Sequence, residues 1–561
     1  MSSAASIRTR SDGVARVPGP AGRPDGTQRN GAQHDGTRRN GAQHDDTRQN
    51  GDHHDGTQNN PRPEGARPNG TPANTGRRSE VRPWWRQPGW LLALVAVGHG
   101  VAPLVLLGPH WGLGIDETVY LSQINAHVPP GLFSAPRARG TTLVAAPVTA
   151  LTSSVAAVRV WLAALSAIGL FLAYRPWLRI RGGYVVPVAA LLFTTIWSVV
   201  YYGFEAMPNE WVAFAVVAAT GYTIRFLRDG HARHLLWIVL AMAAAALFRP
   251  SDAGFATAGL AVACVVIEAP RRLRIRAAAA AVAGTVLGSA EWVIEAYTSF
   301  GGPAARIREA QAEQGGGGLR FAGLAQARSL AGPLLCRAGC HADAPMIFRL
   351  WWAAGAALIL LGIVFGRRRF RQGPDLVVVL VALTSAAQYV LTVGYAAPRF
   401  LIPSYALLAL PCAYAVVGLR ARARPGGPRM VLTGALVAAL LAHLAIQLDV
   451  VLVHVKPPVA RFDRQMGADA GALHAFGVRR RCIVLGQPGF NEALAYATGC
   501  SNVPRLATSV QHLRALGRDV VWLAPTTPPA RYGTRWRRVV LPGPSSRTVQ
   551  VAYLGIGARP G

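Results

Sequence analysis

Long apolar runs separated by short polar segments extend from about residue 85 to residue 452. An α-helix needs about 20 mainly apolar residues to cross the hydrocarbon core of a bilayer, so the pattern predicts about eleven membrane spans. They cover residues 88–108, 155–174, 184–202, 210–224, 235–248, 253–269, 277–297, 346–365, 375–394, 401–418 and 430–452. The stretch 141–153 is apolar but too short to span, and we interpret it as an interfacial or membrane-embedded helix.

Arginine residues are concentrated in alternate loops between these spans. The arginine-rich loops contain Arg175, Arg179 and Arg181; Arg225, Arg228 and Arg233; Arg271, Arg272, Arg274 and Arg276; Arg367, Arg368, Arg369 and Arg371; and Arg420, Arg422, Arg424 and Arg429. Four more, Arg77, Arg78, Arg82 and Arg86, precede the first span. Positive residues gather in cytoplasmic loops, so we predict a multi-pass cell-membrane protein with a cytoplasmic N-terminus and an extracytoplasmic C-terminus.

Residues 1–84 form a polar tail with few large apolar side chains. A ten-residue repeat occupies 25–34, 35–44 and 45–54 and then decays. Such a composition cannot bury enough apolar surface to offset the entropy lost on ordering, so the tail is predicted to be disordered. It has no apolar segment near Met1 that would indicate a signal peptide. Its histidines, His34, His44, His53 and His54, could bind a metal loosely, although repeat expansion in a tolerated tail is the favoured interpretation.

The last segment, 456–561, regains polar character. Strands are predicted at 481–486, 519–525, 536–541 and 548–554, and helices at 491–498 and 509–517. This order is typical of a small α/β domain, which the predicted topology places outside the cytoplasm. A role as a lid, as an acceptor-docking module or as a stabilising appendage remains open.

The composition supports the membrane class and argues against nucleic-acid binding. Hydrophobic residues make up 51% of the chain and charged residues 15%, whereas soluble proteins average about 25% charged. The net charge of +31 would suit nucleic acid. However, Lys456 is the single lysine, and the arginines lie between apolar runs. Membrane lipids are therefore the expected environment, with no nucleic-acid partner.

The cysteines divide into two kinds. Cys264 and Cys412 lie within predicted spans and are interpreted as small apolar residues. The predicted outer side permits disulfides, and we predict the pairs Cys336–Cys340 and Cys482–Cys500. A metal site formed by Cys336, Cys340 and His341 is the less favoured alternative, because zinc sites usually combine two such clusters.

The predicted outer loops collect an unusual set of polar residues. They are Asp116, Glu117 and Tyr120; Arg137 and Arg139; Tyr202, Glu205, Asn209 and Glu210; Arg249 and Asp252; Glu291 and Glu295; and Tyr395 and Arg399. A longer Gly-rich loop, 298–345, is expected to be mobile. Ionisable groups at a membrane boundary often mark a functional site, although any single one could be a snorkelling or capping residue. Arginine binds phosphate oxygens, and a carboxylate accepts a proton from an attacking hydroxyl.

Three motifs carry a family resemblance: IDETVYLSQ (115–123), PRARG (136–140) and YAAPRFLIPSYALLALP (395–411). An Asp-Glu pair in the first outer loop, followed by many spans and an outer C-terminal region, resembles the GT-C glycosyltransferases. That superfamily includes protein O-mannosyltransferases and aminoarabinose transferases. The resemblance implies a GT-C-like fold and transfer of a sugar from a polyprenyl-phosphate-linked donor. The acceptor would be an extracytoplasmic glycan, lipid or protein.

By this resemblance, Asp116 would be the general base, and Glu117 would orient it or hold an acceptor group. Arg137, Arg139, Arg249 and Arg399 are candidates for the carrier phosphate, since fixed positive charge favours a transition state in which phosphate leaves. The substrate-binding set is completed by Tyr120, Glu205, Asn209, Asp252 and Tyr395. A divalent metal is a possible cofactor, since some members of the superfamily use one: Asp116 with Glu205 or Glu210 could supply hard oxygen ligands, although nothing in the spacing demands it.

Two other classes of function compete with this hypothesis. A transporter or lipid flippase would place ionisable residues near the bilayer midplane and often has two similar halves. Here the predicted spans are poor in midplane charge, and no repeat of halves is visible. A non-catalytic membrane scaffold would not need clustered outer carboxylates. The sequence therefore favours the glycosyltransferase.

Overall fold

The computed structural model describes residues 87–316, 318–336, 345–366, 373–479, 482–486, 490–502, 519–523, 536–542 and 551–555. The tail predicted to be disordered, 1–84, lies outside the described residues. The described part consists mostly of helices, followed by a small sheet near the C-terminus. This confirms the predicted class of a polytopic α-helical membrane protein with a small α/β region.

Within the described residues, sixteen α-helices precede the C-terminal region. They are α1 (Pro88–Leu106), α2 (Ile115–Ser122), α3 (Gly140–Leu151), α4 (Val155–Tyr174), α5 (Val185–Thr194), α6 (Trp197–Tyr202), α7 (Pro208–Asp229), α8 (Arg233–Phe248), α9 (Pro250–Val266), α10 (Arg271–Ser299), α11 (Pro303–Glu313), α12 (Gly323–Ser329), α13 (Met346–Gly366), α14 (Pro374–Leu391), α15 (Ile402–Arg422) and α16 (Gly427–Asp449).

Among the described residues, 8 helical segments are long and apolar enough to cross a membrane. They are α1, α4 with the turn after it, α7, α10, α13, α14, α15 and the segment that begins with α16. The other predicted spans coincide with shorter helices: α8, α9, and the pair α5 and α6, which a break at Thr195 and Ile196 separates. The multi-pass architecture is confirmed, and the count of about eleven spans stays a prediction.

The peripheral helices present apolar faces typical of lipid contact. Of an apolar 18-residue stretch of α13, only 11% is buried within the protein, against 78% of the corresponding stretch of α7. The exposed residues of α13 include Leu350, Leu360 and Val364. A helix that is apolar on every side and mostly unburied fits a bilayer and not water. The helix α7 is instead surrounded by other helices and lies in the core of the bundle.

Helices α8 and α10 cross at close range because α10 has glycines at the crossing. A Cβ atom at Gly284 or Gly288 would overlap the backbone of α8 at Val239 or Ala243. This spacing, two small residues four positions apart, is the pattern that lets membrane helices approach each other closely. The C-terminal half of α10, with Glu291 and Glu295, is thereby fixed against the bundle.

The region predicted to be one long loop, 298–345, is largely structured where the structure describes it. It forms α11 and α12, and its backbone is anchored to the turn that follows α14. Arg320 N donates to Leu391 O at 2.7 Å, and Cys336 exchanges two backbone hydrogen bonds with Ala396 at 2.8 and 2.9 Å. The segment is therefore not one continuous loop over these residues, and its predicted mobility stays a prediction. Clusters of glycine gave a loop signal, but they separate short helices here.

The C-terminal region begins with α17 (Lys456–Ala475), which a π-helical segment, Val450–Val455, joins to α16 without a break. It continues with β1 (Cys482–Gly486), α18 (Phe490–Thr498), β2 (Ser501–Asn502), β3 (Asp519–Leu523), β4 (Arg537–Val540) and β5 (Val551–Gly555). The sheet order is β2-β1-β3-β5-β4. The first three strands are parallel, and the other pairings are antiparallel. The helix predicted over 509–517 lies outside the described residues.

The cysteine predictions can be compared with the structure at most positions. Cys482 and Cys500 form a disulfide that joins β1 to the residue before β2. Cys264 and Cys412 are free, as expected for residues within spans. Cys336 is disulfide-bonded. Its predicted partner Cys340, like His341 of the alternative metal site, lies outside the described residues.

Candidate active site

The Asp-Glu pair lies on α2, a short helix directly after the first span. Its first turn is closed by Glu117, whose carboxylate accepts a hydrogen bond from Gly114 N at 2.7 Å. A glutamate that reaches back to the start of its own helix satisfies a donor that the helix leaves unpaired. Because adjacent helical residues point about 100° apart, Asp116 and Glu117 enter different surroundings.

Glu117 forms a buried ion pair with Arg159 of α4. The carboxylate of Glu117 is 1% exposed and lies 2.6 and 2.8 Å from two guanidinium nitrogens of Arg159. Ala206 N also donates to Glu117 at 2.7 Å. Arg159 donates in turn to backbone carbonyls of Trp111, Gly112 and Phe204. All donors and acceptors here are used, so the geometry favours a structural role for Glu117 over contact with an acceptor.

Asp116 lies in a different region, which we term the arginine cluster and define by Asp116, Arg137, Arg249 and Arg399. The Asp116 carboxylate is 38% exposed and lies 2.6 Å from Arg137 and 3.2 Å from Arg399. Arg399 also donates to the Tyr202 hydroxyl at 3.4 Å. The three arginines come from separate parts of the chain, and the fold brings them to one carboxylate.

The arginine cluster sets the charge state of Asp116. Burial acts to raise the pKa of the Asp116 carboxyl, but the nearby Arg137 and Arg399 guanidinium groups, aided by Arg249, outweigh it. The pKa therefore lies below its ordinary value, and Asp116 is ionised at neutral pH. An ionised, partly exposed carboxylate is able to accept a proton from a bound hydroxyl or amine.

Arg249 occupies the junction of α8 and α9, where its Nε atom lies 3.4 Å from an Asp252 carboxylate oxygen, close enough for charge attraction. Asp252 accepts hydrogen bonds of 2.7 and 2.8 Å from the Tyr389 hydroxyl. The Tyr389 ring stacks on Phe400 at 4.3 Å, next to Arg399. Asp252 thus holds Arg249 in place.

Two arginines of the cluster retain unused hydrogen-bonding capacity. The Nε atoms of Arg249 and Arg399 are buried and have no hydrogen-bond partner within the described residues. A buried donor without an acceptor is costly, and such groups in native proteins call for an explanation. An anionic group bound beside Asp116 would supply the missing acceptors.

Arg139 does not belong to the arginine cluster. It pairs with Glu295 of α10, donates to Gln123 at 3.0 Å, and lies 4.0 Å above the Phe133 ring. Glu291 is 3.8 Å away. The predicted contact of Arg139 with a phosphate remains a prediction, and its present partners position the loop between α2 and α3.

Arg306 of α11, which the sequence did not single out, fixes the same loop. Its side chain is fully buried and donates to the carbonyls of Ala135 at 3.0 Å and Arg137 at 2.9 Å. It also pairs with Glu295 at 2.8 Å. Through these bonds Arg306 holds the backbone that presents Arg137 to Asp116.

The predicted aromatic residues line the cluster. Tyr120 is 4% exposed, packs edge-on against Phe133 at 5.9 Å, and lies beneath the Arg137 guanidinium at 5.8 Å. Tyr395 packs against the Phe400 ring at 5.3 Å. Both rings are therefore close to the arginines.

The polar residues before and within the start of α7 are buried beside the ion pair. Burial and then the Glu117 carboxylate raise the pKa of Glu205 well above its ordinary value. Asn209 is fully buried, and its amide atoms have no partner among the described residues. Glu210 accepts a hydrogen bond from His99 Nε2 at 2.7 Å, and the same nitrogen lies 2.9 Å from the Ser166 hydroxyl. Of the candidate metal ligands, Asp116 and Glu210 thus have other partners, whereas Glu205 Oε1 is buried without a hydrogen-bond partner among the described residues.

The C-terminal region contacts the segment that follows α2. Asn125 donates to the Tyr496 hydroxyl of α18 at 3.0 Å, and Leu132 N donates to Asn502 of β2 at 3.1 Å. The disulfide at Cys500 ties the turn between α18 and β2 to Cys482 of β1. The α/β region therefore helps to position the segment between α2 and α3, which carries Arg137.

Comparison with solved structures identifies the fold. ArnT of Cupriavidus metallidurans bound to undecaprenyl phosphate superposes with a TM-score of 0.57 at 13% identity, over 83% of this chain and 98% of that one. The same protein in the apo state gives a TM-score of 0.53 at 13% identity and the same coverage. The oligosaccharyltransferase AglB of Archaeoglobus fulgidus, in complex with an inhibitory peptide and a dolichol-phosphate, gives 0.50 at 13% identity, over 79% of this chain and 70% of that one.

No family model matches the sequence, and no curated protein sequence matches it significantly. The structural likeness is nevertheless extensive, because it covers 83% of this chain and nearly all of ArnT. The GT-C-like fold expected from the sequence resemblance is confirmed. At this low identity the likeness concerns the fold, and the reaction has to be argued from the site.

Proposed function

We propose that this protein is an integral membrane glycosyltransferase that transfers a sugar from a polyprenyl-phosphate-linked donor to an acceptor outside the cytoplasm. The fold is shared with ArnT and AglB, whose structures contain undecaprenyl phosphate and dolichol-phosphate. The observation that carries the proposal is the arginine cluster. There, guanidinium groups from three parts of the chain surround one ionised carboxylate, and two of them have buried Nε donors without a hydrogen bond among the described residues.

The roles follow from the chemistry of the cluster. Asp116 accepts the proton of the attacking acceptor group, because it is ionised and partly exposed. Arg249 and Arg399 bind the carrier phosphate with their available Nε donors. Arg137 stabilises the charge that develops on the phosphate as the glycosidic bond breaks. These groups are fixed before substrate arrives, so little reorganisation is needed in the transition state.

Three further features belong to the proposal. The arginine-rich loops lie in the cytoplasm, so the arginine cluster opens to the opposite side, and the tail is cytoplasmic. The region 456–561 positions the loop between α2 and α3 through Tyr496 and Asn502. The acceptor is an extracytoplasmic glycan, lipid or protein.

The test combines a binding measurement with a cellular one. Purified protein in nanodiscs is titrated with undecaprenyl phosphate, and bound lipid is measured by native mass spectrometry. We expect the wild type to bind the lipid and Arg399→Gln to bind it more weakly. Arg308→Gln, at an exposed arginine of α11, should bind it as the wild type does. In cells lacking the protein, the envelope glycans and glycolipids are profiled after complementation with the wild type or with Asp116→Asn.

The proposal requires that the wild type restores a glycan or glycolipid and that Asp116→Asn does not. Asp449→Asn, which changes an exposed acid at the end of α16, is the matched control and should restore it. An unchanged envelope profile combined with altered uptake of a solute would instead establish a transporter. No observation on the described residues favours that alternative.

A further inference from the structure

A cluster of two histidines and one aspartate lies at the turn between α7 and α8. Asp229 is the last residue of α7, His231 follows two positions later, and His234 is in the first turn of α8. Gly230 ends α7 with a positive φ of 68°, a conformation that glycine adopts at little cost. The chain therefore turns over the three residues between α7 and α8, and the three side chains converge.

The three residues already contact one another through potential ligand atoms. Asp229 lies 3.2 Å from His231 Nδ1 and 3.0 Å from His234 Nε2 through different carboxylate oxygens. All three ligand atoms lie within 4.8 Å of one another. In a tetrahedral zinc site with bonds of about 2.1 Å, ligand atoms are about 3.4 Å apart. Small side-chain rotations would therefore bring the three to one ion.

We propose that this cluster, Asp229, His231 and His234, binds a zinc-like divalent transition metal. Two imidazoles and one carboxylate form a common zinc ligand set, with a fourth position for water. Nitrogen donors favour zinc, nickel or copper over magnesium and calcium, which prefer oxygen ligands. The cluster thus selects for a borderline transition metal.

The surroundings support ordered ligands with an open entry path. His234 is 1% exposed, and its ring lies 5.9 Å from the Tyr222 ring at a tilt of 30°. His231 is 59% exposed and Asp229 33% exposed, so an ion can enter from solvent. The nearby Arg225 and Arg233 oppose the charge of a cation, which limits affinity without removing any ligand.

This site is separate from the proposed sugar transfer. The 22 residues of α7 extend about 33 Å between its ends. Its first turn contains Glu210, which is paired with His99, and its last residue is Asp229. A bound ion would join the end of α7 to the start of α8, and its effect would be on the stability of this turn and not on the chemistry at Asp116.

The test is zinc binding by the full chain, purified in detergent with a histidine-free tag and freed of metal with a chelator. Bound zinc is counted after equilibrium dialysis, and the affinity is measured by calorimetry. The tail histidines contribute equally to the wild type and its variants. We expect the wild type to bind one more zinc ion than Asp229→Asn or His231→Ala, or to bind it about 100-fold or more tightly, since even outer-shell changes cost about 10- to 100-fold.

Both variants change solvent-accessible side chains, so the fold should persist, and circular dichroism verifies this. His454→Ala is the matched control: it removes an exposed histidine 3.5 Å from Asp449, a pair with no third ligand among the described residues. It should bind as much zinc as the wild type, and zinc should raise the thermal midpoint of both. Equal stoichiometry and affinity in the wild type, Asp229→Asn and His231→Ala would overturn the proposal.

Discussion

Asp116 and Glu117 are neighbours in sequence but belong to two regions of opposite character. Asp116 lies in the arginine cluster, where it is 38% exposed and where two arginine Nε donors have no hydrogen-bond partner in the described chain. Glu117 belongs to the buried ion pair with Arg159, in which each carboxylate oxygen accepts from both an arginine nitrogen and a backbone N–H. The first region has capacity left for a ligand, and the second has none.

This difference teaches how one helix can combine structure and chemistry. The buried ion pair fixes α2 to α4 and to the segment before α7, because Glu117 bonds to Gly114, Ala206 and Arg159 at once. Asp116 is then held at a defined place without using its own carboxylate for packing. A catalytic group needs such support from residues with satisfied bonds. Substitutions in the two regions should therefore affect different properties.

The largest effect on activity is expected from Asp116→Asn. The amide retains the shape of the side chain but cannot accept the proton, and a positioned base contributes about 10²- to 10⁴-fold to a rate. The transfer rate should fall by that factor, while the thermal midpoint in nanodiscs stays unchanged. Wild-type activity in both Asp116→Asn and Asp116→Ala would exclude Asp116 from the mechanism.

The largest effect on stability is expected from Arg159→Met. This change leaves the Glu117 carboxylate buried without its partner, which typically costs about 3–5 kcal/mol. The thermal midpoint should fall strongly. The double variant with Glu117→Leu should not restore it, because the carbonyls of Trp111, Gly112 and Phe204 would still lack their donor. Full recovery in the double variant would contradict the supporting role assigned to this pair.

The sequence predicted the arginine cluster better than it predicted the buried ion pair of Glu117 and Arg159. Asp116, Arg137, Arg249 and Arg399 stood out because they are ionisable residues in loops between apolar runs, and topology placed them on one side. Glu117 was grouped with Asp116 because adjacency along the chain does not reveal the direction of a side chain. Arg159 could also have been predicted, because a lone arginine within an apolar span indicates a buried partner.

The same distinction applies to the fold. Elements defined by their own pattern of apolar residues were predicted, and features defined by contacts with distant segments were not. Apolar runs predicted the helices, and short apolar segments between turn signals predicted β1, β3, β4 and β5. The two-residue strand β2 was missed because its pairing with β1, and not its own composition, defines it. The sequence also did not predict the break between α5 and α6 or the anchoring of 320–336 by the turn after α14. Both depend on contacts between distant segments.

A third prediction concerns the charge balance of the arginine cluster. Arg137→Gln removes the charge that most lowers the pKa of Asp116, against the opposing effect of burial. The pKa should rise, and because the base must be ionised, the acidic limb of the rate–pH profile should move to higher pH. The rate at neutral pH should fall about 100-fold, the cost of losing one electrostatic contact to the transition state.

Arg308→Gln, on the exposed side of α11, is the control for a general loss of positive charge and should leave the profile in place. A lower rate with an unshifted acidic limb would mean that Arg137 acts on the phosphate alone and not on Asp116. A profile identical to that of the wild type would remove Arg137 from the arginine cluster as a functional group.

The smallest effect on the transfer rate is expected at the contact between the C-terminal region and the segment that follows α2. Tyr496→Phe removes the hydroxyl that accepts from Asn125 at 3.0 Å, a bond worth about 1 kcal/mol, or about fivefold in rate if it is lost entirely from the transition state. Tyr297→Phe, at a tyrosine that is 70% exposed on α10, should have no effect. An unchanged rate in Tyr496→Phe together with a lower thermal midpoint would mean that the contact contributes to stability alone. The α/β region would then have a structural role, like the buried ion pair, and not a role in the reaction, like the arginine cluster.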